Sequence, residues 1–280
     1  MVTSLALLFL AIVIISLWTY SFFWYEISGG SDYERLYILS RGKPKRWILY
    51  GILSSIATIP ILILTFPLGL GARTRKTTID PSCPKPTVIL IHGLYHNASA
   101  WLLYRWRLRV AGYRNVLCWS YPSWGASFDV LSTRLISFIK EITFPKVILI
   151  GHSLGGLLIR SCLAEPSVAN RIAAVITLGS PHQGTKLAVF APGKLGRSLL
   201  FKGKVAKQLN STPETDPNIP RLALFSPVDN MILPPEALRI KHRNWKEEYT
   251  APLSHATILY HWPTVARIID FLNEVENTLS

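Results

Sequence analysis

The sequence predicts an α/β protein: a mostly parallel sheet flanked by helices, preceded by two transmembrane helices. Three observations carry this reading. Two long uncharged apolar runs fill most of the first 72 residues. Beyond a proline-rich joint, short β-branched runs alternate with segments of helical period. Those short runs are apolar on both faces, as strands must be when helices cover both sides of a parallel sheet.

The first apolar run extends from Val2 to Tyr25 without a charge, and the second from Trp47 to Ala72. About 20 apolar residues cross roughly 30 Å of hydrocarbon, so spans are expected at about residues 3–25 and 47–70. The first run lacks a basic n-region and a clean small-x-small cleavage site, which makes it a signal anchor rather than a removable leader. Pro60 and Pro67 should kink or fray the end of the second. Trp18, Tyr20, Trp24, Tyr25, Trp47 and Tyr50 lie toward the ends that flank the intervening loop, where an interfacial aromatic belt forms. That loop holds Arg35, Arg41, Lys43, Lys45 and Arg46, against Arg73, Arg75, Lys76 and Lys85 after the second span. The balance of positive charge tips the loop toward the cytoplasm and the rest of the chain toward the extracytoplasmic side of an inner or plasma membrane.

Residues 1–78 thus read as a membrane anchor, 79–86 as a linker held extended by three prolines, and 87–280 as the α/β unit. Strands are expected at 87–91, 116–120, 146–150, 173–178 and 222–225. Helices are expected at 98–111, 128–142, 154–164 and 264–278. Strand–helix alternation of this kind implies right-handed crossovers and a parallel sheet. Cys83, Cys118 and Cys162 show no metal-like spacing. No metal is expected.

Chemistry enters at Gly151-His152-Ser153-Leu154-Gly155-Gly156, between the strand KVILI and the helical LLIRSCLAE. A Gly-x-Ser-x-Gly turn from strand to helix holds a serine in a strained, exposed position, with glycines where side chains would collide. Ser153 is the candidate nucleophile. A base and an orienting acid should follow it on later loops. Asp229 lies in the loop after the strand at 222–225, whereas Glu214 and Asp216 precede that strand and Asp129 precedes the serine. His255 lies in the polar loop before the last helix. His242 and His261 are its rivals, one in a basic stretch and one beside the helix start. Ser153, His255 and Asp229 would perform acyl transfer, with the backbone N–H groups of Leu94 and Leu154 receiving the oxyanion. His92, which precedes the serine, is expected to hold its loop rather than to react.

The segments ILIHGL, ILIGHSLGG, TLGSPHQGT, SPVDNMILP and SHATILYHWPTVARIIDFL, in that order, resemble the α/β-hydrolase superfamily. They are most similar to its lipase and esterase branch, including small lipases and GPI-inositol-deacylase-like domains. The resemblance covers residues 86–280 and leaves the hairpin outside. It implies an α/β-hydrolase fold and a carboxylic ester hydrolase that needs no cofactor, with Ser153, Asp229 and His255 as its triad and His182 in a structural role. The short stretch between Thr185 and Arg221 leaves little chain for a large lid.

A net charge of +14, with 49% hydrophobic and only 16% charged residues, fits a lipid bilayer as partner. No nucleic-acid module is present, so nucleic acid is not an expected partner. The run Lys186, Lys194, Arg197, Lys202, Lys204 and Lys207, interleaved with leucines, reads either as an amphipathic segment on anionic lipid or as a solvated basic face. The expected substrate is a lipid or acyl ester. An acyltransferase or thioesterase on the same triad, and a non-catalytic membrane scaffold of this fold, are the alternatives.

Overall fold

A computed structural model describes residues 2–71, 79–240, 242 and 244–279. The basic residues Arg73, Arg75 and Lys76 used to orient the chain lie outside the described residues. Among the described residues the helices are α1 (Val2–Ile27), α2 (Ser31–Leu39), α3 (Pro44–Thr65), α4 (Leu102–Val110), α5 (Phe128–Glu141), α6 (Leu154–Leu163), α7 (Pro166–Ala169), α8 (Gly193–Arg197), α9 (Lys204–Ser211) and α10 (Trp262–Leu279). The strands are β1 (Thr87–Ile91), β2 (Val116–Trp119), β3 (Val147–His152), β4 (Ile172–Leu178), β5 (Arg221–Phe225) and β6 (Lys246–Tyr249).

All six strands are parallel, in the order β2-β1-β3-β4-β5-β6. Each face of the sheet has its own core. On one, Leu131, Leu135 and Ile139 of α5 meet Leu154 and Leu158 of α6. On the other, Tyr104 and Leu108 of α4 meet Ile268 and Leu272 of α10. Helices α4 and α10 reach their sheet face through residues spaced three and four apart, the helical repeat that keeps side chains on one side. The order reverses at β1, whose neighbours β2 and β3 lie on opposite sides. A crevice opens beyond the strand C-termini at such a point.

The sixth strand was not expected. Lys246-Glu247-Glu248-Tyr249 is charged and half-exposed, and it forms the sheet's edge beside β5. Charge on an edge strand discourages pairing with other chains. Its carboxylates are also occupied: Glu248 takes two hydrogen bonds of 2.8 Å from Arg267, and Glu247 accepts from Ile240 N–H. The basic run did not form one amphipathic helix. It breaks into a 3₁₀ turn, α8 and α9, and its Leu195, Leu199 and Val205 are buried in the core on one face of the sheet.

Helices α1 and α3 are each long and apolar enough to cross a bilayer, and α3 continues through Pro60 before a 3₁₀ turn at Phe66–Gly69. They pack on each other and, along one face, on the α/β unit. The buried positions of α1 are Ile12, Ser16, Thr19, Tyr20, Phe23 and Ile27, and those of α3 include Ile48, Gly51, Ser55 and Thr58. Both sets repeat every three or four residues. Leu5, Leu7, Phe9, Ile14 on α1 and Leu49, Leu53, Ile61, Leu64 on α3 stay exposed. Tyr20, expected in an aromatic belt, is instead buried and donates a 3.0 Å hydrogen bond to Val228 O.

A buried ion pair steadies the start of β5. The Arg221 side chain is fully enclosed, with Nε 2.9 Å from Glu214, and its other nitrogens donate to the carbonyls of Asp216, Pro217 and Ile219. Glu214→Ala removes the carboxylate that pairs with this buried guanidinium, which costs about 3 kcal/mol. Thermal denaturation of the variant should show the loss as a lowered Tm.

Candidate active site

Four loops at the C-terminal edge of the sheet converge. The chain leaves β3 through Ser153, whose φ of 54° and ψ of −123° are strained for a residue with a side chain. Hydrogen bonds on both sides hold the turn, from Ser153 N–H to Leu178 O (2.9 Å) and from Gly156 N–H to Ser153 O (3.0 Å). A Cβ on Gly155 would collide with the Ile91 carbonyl, so only glycine lets α6 begin this close to β1.

Asp229 follows β5 and is almost fully buried. Its Oδ1 accepts from the N–H groups of Met231 (2.9 Å) and Ile232 (3.0 Å), which orients the carboxylate. Its Oδ2 lies 2.8 Å from His255 Nδ1. His255 follows β6, and its backbone is clamped from two directions. Asn230 Oδ1 accepts from His255 N–H at 3.0 Å, and His152 Nε2 lies 3.2 Å from His255 O. The structure therefore brings Asp229 and His255 into contact and places both His255 and Ser153 on the walls of the same cavities. Among the described residues no hydrogen bond joins Ser153 Oγ to the imidazole. Hydrogen bonds between a nucleophile and its base are often long until substrate tightens them.

The rival histidines lie elsewhere. His261 Nδ1 is 2.8 Å from Thr264 Oγ1 at the start of α10, and His242 lines a separate surface cavity. His182 is buried, with Nε2 3.3 Å from Thr177 Oγ1.

After β1 the chain passes His92 and Gly93. A Cβ on Gly93 would lie 2.9 Å from that of Ser153, so this loop and the serine are in direct apposition. Leu154 is the first residue of its helix, and its N–H has no intrahelical acceptor. Leu94 N–H has no acceptor among the described residues. Both groups are free to receive an oxyanion. Tyr95, at a positive φ of 58°, closes the loop by donating its N–H to Ser123 Oγ at 2.8 Å.

His92 is wholly buried and stacked on Tyr121 at 4.2 Å. Nδ1–H donates to Gly93 O (2.8 Å), and Nε2 accepts from Tyr121 N–H (3.2 Å), an arrangement that requires the neutral ring. Burial pushes its pKa down from 6.5 to about 4. Burial also holds His152 and His182 well below the usual histidine range. A histidine with a depressed folded pKa binds its proton more readily when unfolded, so stability is lost as pH falls from 6.5 toward 4. For His92 alone the loss reaches about 3 kcal/mol. Urea denaturation at pH 7 and pH 4.5 should show the lower midpoint at acid pH, and His92→Gln should narrow that difference while His152 and His182 sustain the rest.

Sequence reasoning missed the second tier of this site. His152 and Asn230 sit beside Ser153 and Asp229 in the chain, and only their contacts with His255 reveal what they do. The larger omission is the hairpin. Asn230 Nδ2 donates to Thr19 Oγ1 of α1 (2.8 Å). Ser254 N–H donates to Ser54 Oγ of α3 (2.8 Å), Thr257 Oγ1 donates to Ser54 O (3.1 Å), and Thr58 Oγ1 is 2.8 Å from Thr257 Oγ1. The loop that carries His255 is thus hydrogen-bonded to the helix expected to lie in lipid.

Residues 88–275 match the alpha/beta hydrolase family, which leaves both long apolar helices outside the match. Among solved structures the chain is similar to the mature lipase BlEst2 of Bacillus licheniformis, at 20% identity and a TM-score of 0.55, over 68% of this chain and 93% of that one. It is similar to a thermophilic esterase of Thermogutta terrifontis at 14% identity and a TM-score of 0.50, over 68% and 90%. It is also similar to a gene product of Listeria innocua at 14% identity and a TM-score of 0.51, over 67% and 94%. At such identities these likenesses speak for the fold. With the parallel sheet, the strained strand-to-helix turn and a match over two-thirds of its length, the chain belongs to the alpha/beta hydrolase family.

Proposed function

We propose that this hydrolase cleaves carboxylic esters of membrane lipids or other long-chain acyl esters, using Ser153, His255 and Asp229, while the N-terminal hairpin holds it in the bilayer. The observation that carries the reading is one juxtaposition. A serine on a strained turn and a histidine paired to a buried carboxylate face a cavity of about 350 Å³ lined by Leu94, Leu187, Ala188 and Phe190. Apolar walls with a few convergent polar groups favour an acyl chain whose carbonyl rests at the serine.

The steps follow from the geometry. Ser153 Oγ adds to the carbonyl carbon while its proton passes to His255 Nε2. Asp229 holds the Nδ1–H tautomer and stabilises the imidazolium. The carbonyl oxygen, now negative, takes hydrogen bonds from Leu94 N–H and Leu154 N–H. The carbon–oxygen bond to the alcohol breaks, and the alcohol leaves with the proton from His255. Water then repeats the sequence on the acyl-serine, yielding the free acid and the original serine.

Support for membrane residence comes from the two long apolar helices and their exposed apolar faces. The test is labelling of the full-length chain in detergent micelles with a fluorophosphonate, followed by peptide mapping and by product analysis on acyl esters. Adduct at Ser153 together with release of free acid supports the reading. Folded protein that takes no label and releases no acid sinks it.

A further inference from the structure

Two cavities meet at Ser153, and each takes part of its wall from the hairpin. One, of about 350 Å³, lies toward Leu187 and Phe190 and has Trp18 and Thr19 of α1 in its wall. Trp18 packs edge-on against Phe190 at 5.5 Å, which joins the helix to the hydrolase wall. The other, of about 270 Å³, lies between α1 and α3, with Ile15, Ile59 and Leu62 on the hairpin side and Leu259 opposite. Ser153, His255, Leu94 and Thr19 border both. Helix α1 therefore crosses above the serine at Thr19, and a chamber opens to each side.

The direction of chemistry assigns the two chambers. The leaving oxygen must receive its proton from His255, so whatever hangs from that oxygen departs past the loop of His255. Ser254, Ala256 and Leu259 of that loop line the α1–α3 chamber and not the other. The chamber toward Phe190 remains for the acyl chain. Both are predominantly apolar, and hairpin residues form part of the wall of each. A substrate with a small polar alcohol would leave the α1–α3 chamber empty and its apolar lining unsatisfied.

Resting on the ester-hydrolase reading, we propose that the hairpin is the ceiling of the substrate site and that the substrate is a two-armed ester. One arm is an apolar acyl chain held under Trp18. The other is an apolar chain on the alcohol, held between α1 and α3. Helices outside the family match thereby decide which alcohol is accepted.

The test uses the full chain in detergent micelles and three probe esters: methyl laurate, dodecyl acetate and dodecyl laurate. The wild-type chain should prefer dodecyl laurate to methyl laurate by tenfold or more in kcat/KM. Ile59→Trp, which fills the α1–α3 chamber, should bring that preference close to one. Ile59→Ala enlarges the same chamber and should move the optimum toward longer or branched alcohols. Trp18→Ala should instead shift the acyl-length optimum, read as dodecyl laurate against dodecyl acetate, more than the preference for the alcohol. If ester turnover is robust but indifferent to alcohol length, or if both Ile59 variants keep the wild-type preference, the two-armed site is wrong while the hydrolase reading stands. Absence of turnover on every ester removes both.

Discussion

Ser153→Ala should reduce ester turnover by on the order of 10⁶-fold, the scale seen when a serine hydrolase loses its nucleophile. It should also abolish fluorophosphonate labelling. What remains is acceleration over water by the oxyanion donors and by substrate binding, because Leu94 N–H and Leu154 N–H are untouched. Binding should survive, so affinity for a non-hydrolysable long-chain ether should change little. The variant is also expected to fold at least as well. Ser153 Oγ makes no hydrogen bond among the described residues, and alanine keeps the backbone bonds to Leu178 and Gly156. Turnover within tenfold of wild type in the alanine variant would overturn the assignment of the nucleophile.

Asp229→Asn should lower kcat by about 10⁴-fold while leaving the fold intact. The geometry explains why a nearly isosteric change is so costly. Oδ1 holds the N–H groups of Met231 and Ile232, so an asparagine keeps its oxygen there. Its NH₂ then faces His255 Nδ1, which must become an acceptor. The ring proton moves to Nε2, where the imidazole can no longer take the serine's proton. Unfolding midpoints of wild type and variant should agree closely while kcat separates them. A variant that retains a tenth or more of wild-type kcat would show that Asp229 does not set the tautomer.

Much of this could be read from the chain. Five strands are apolar on both faces and stand close to where they were expected, with boundaries shifted by a residue or two. The order of Ser153, Asp229 and His255 was legible because each lies just past a strand or just before a helix. What escaped has physical reasons. β6 carries Lys246, Glu247 and Glu248, and an edge strand needs no apolar face once its charges are paired with Arg267 and Arg239. The basic run around Lys194 gave a lysine count but no hint that Leu195 and Leu199 would point into a core. The hairpin was hardest. In a helix that is apolar all round, periodicity cannot tell a lipid face from a protein face. Scattered polar residues such as Ser16, Thr19, Ser54, Ser55 and Thr58 mark the docked side, and their partners lie as many as 211 residues away.

The place where α1 crosses the serine has a kinetic consequence. Thr19 lies two turns inside the C-terminal end of a 26-residue helix, about 12 Å of helical rise from Ile27. Under the proposed mechanism, the acyl-serine therefore forms beside the body of an apolar helix rather than beyond its tip, with Ser153 only 9% exposed. With the hairpin in the bilayer as proposed, lipid is the abundant neighbour there and water the scarce reactant. Deacylation becomes a competition between a diluted water and any hydroxyl that arrives on another lipid, so local hydration decides whether the acyl group is released or passed on.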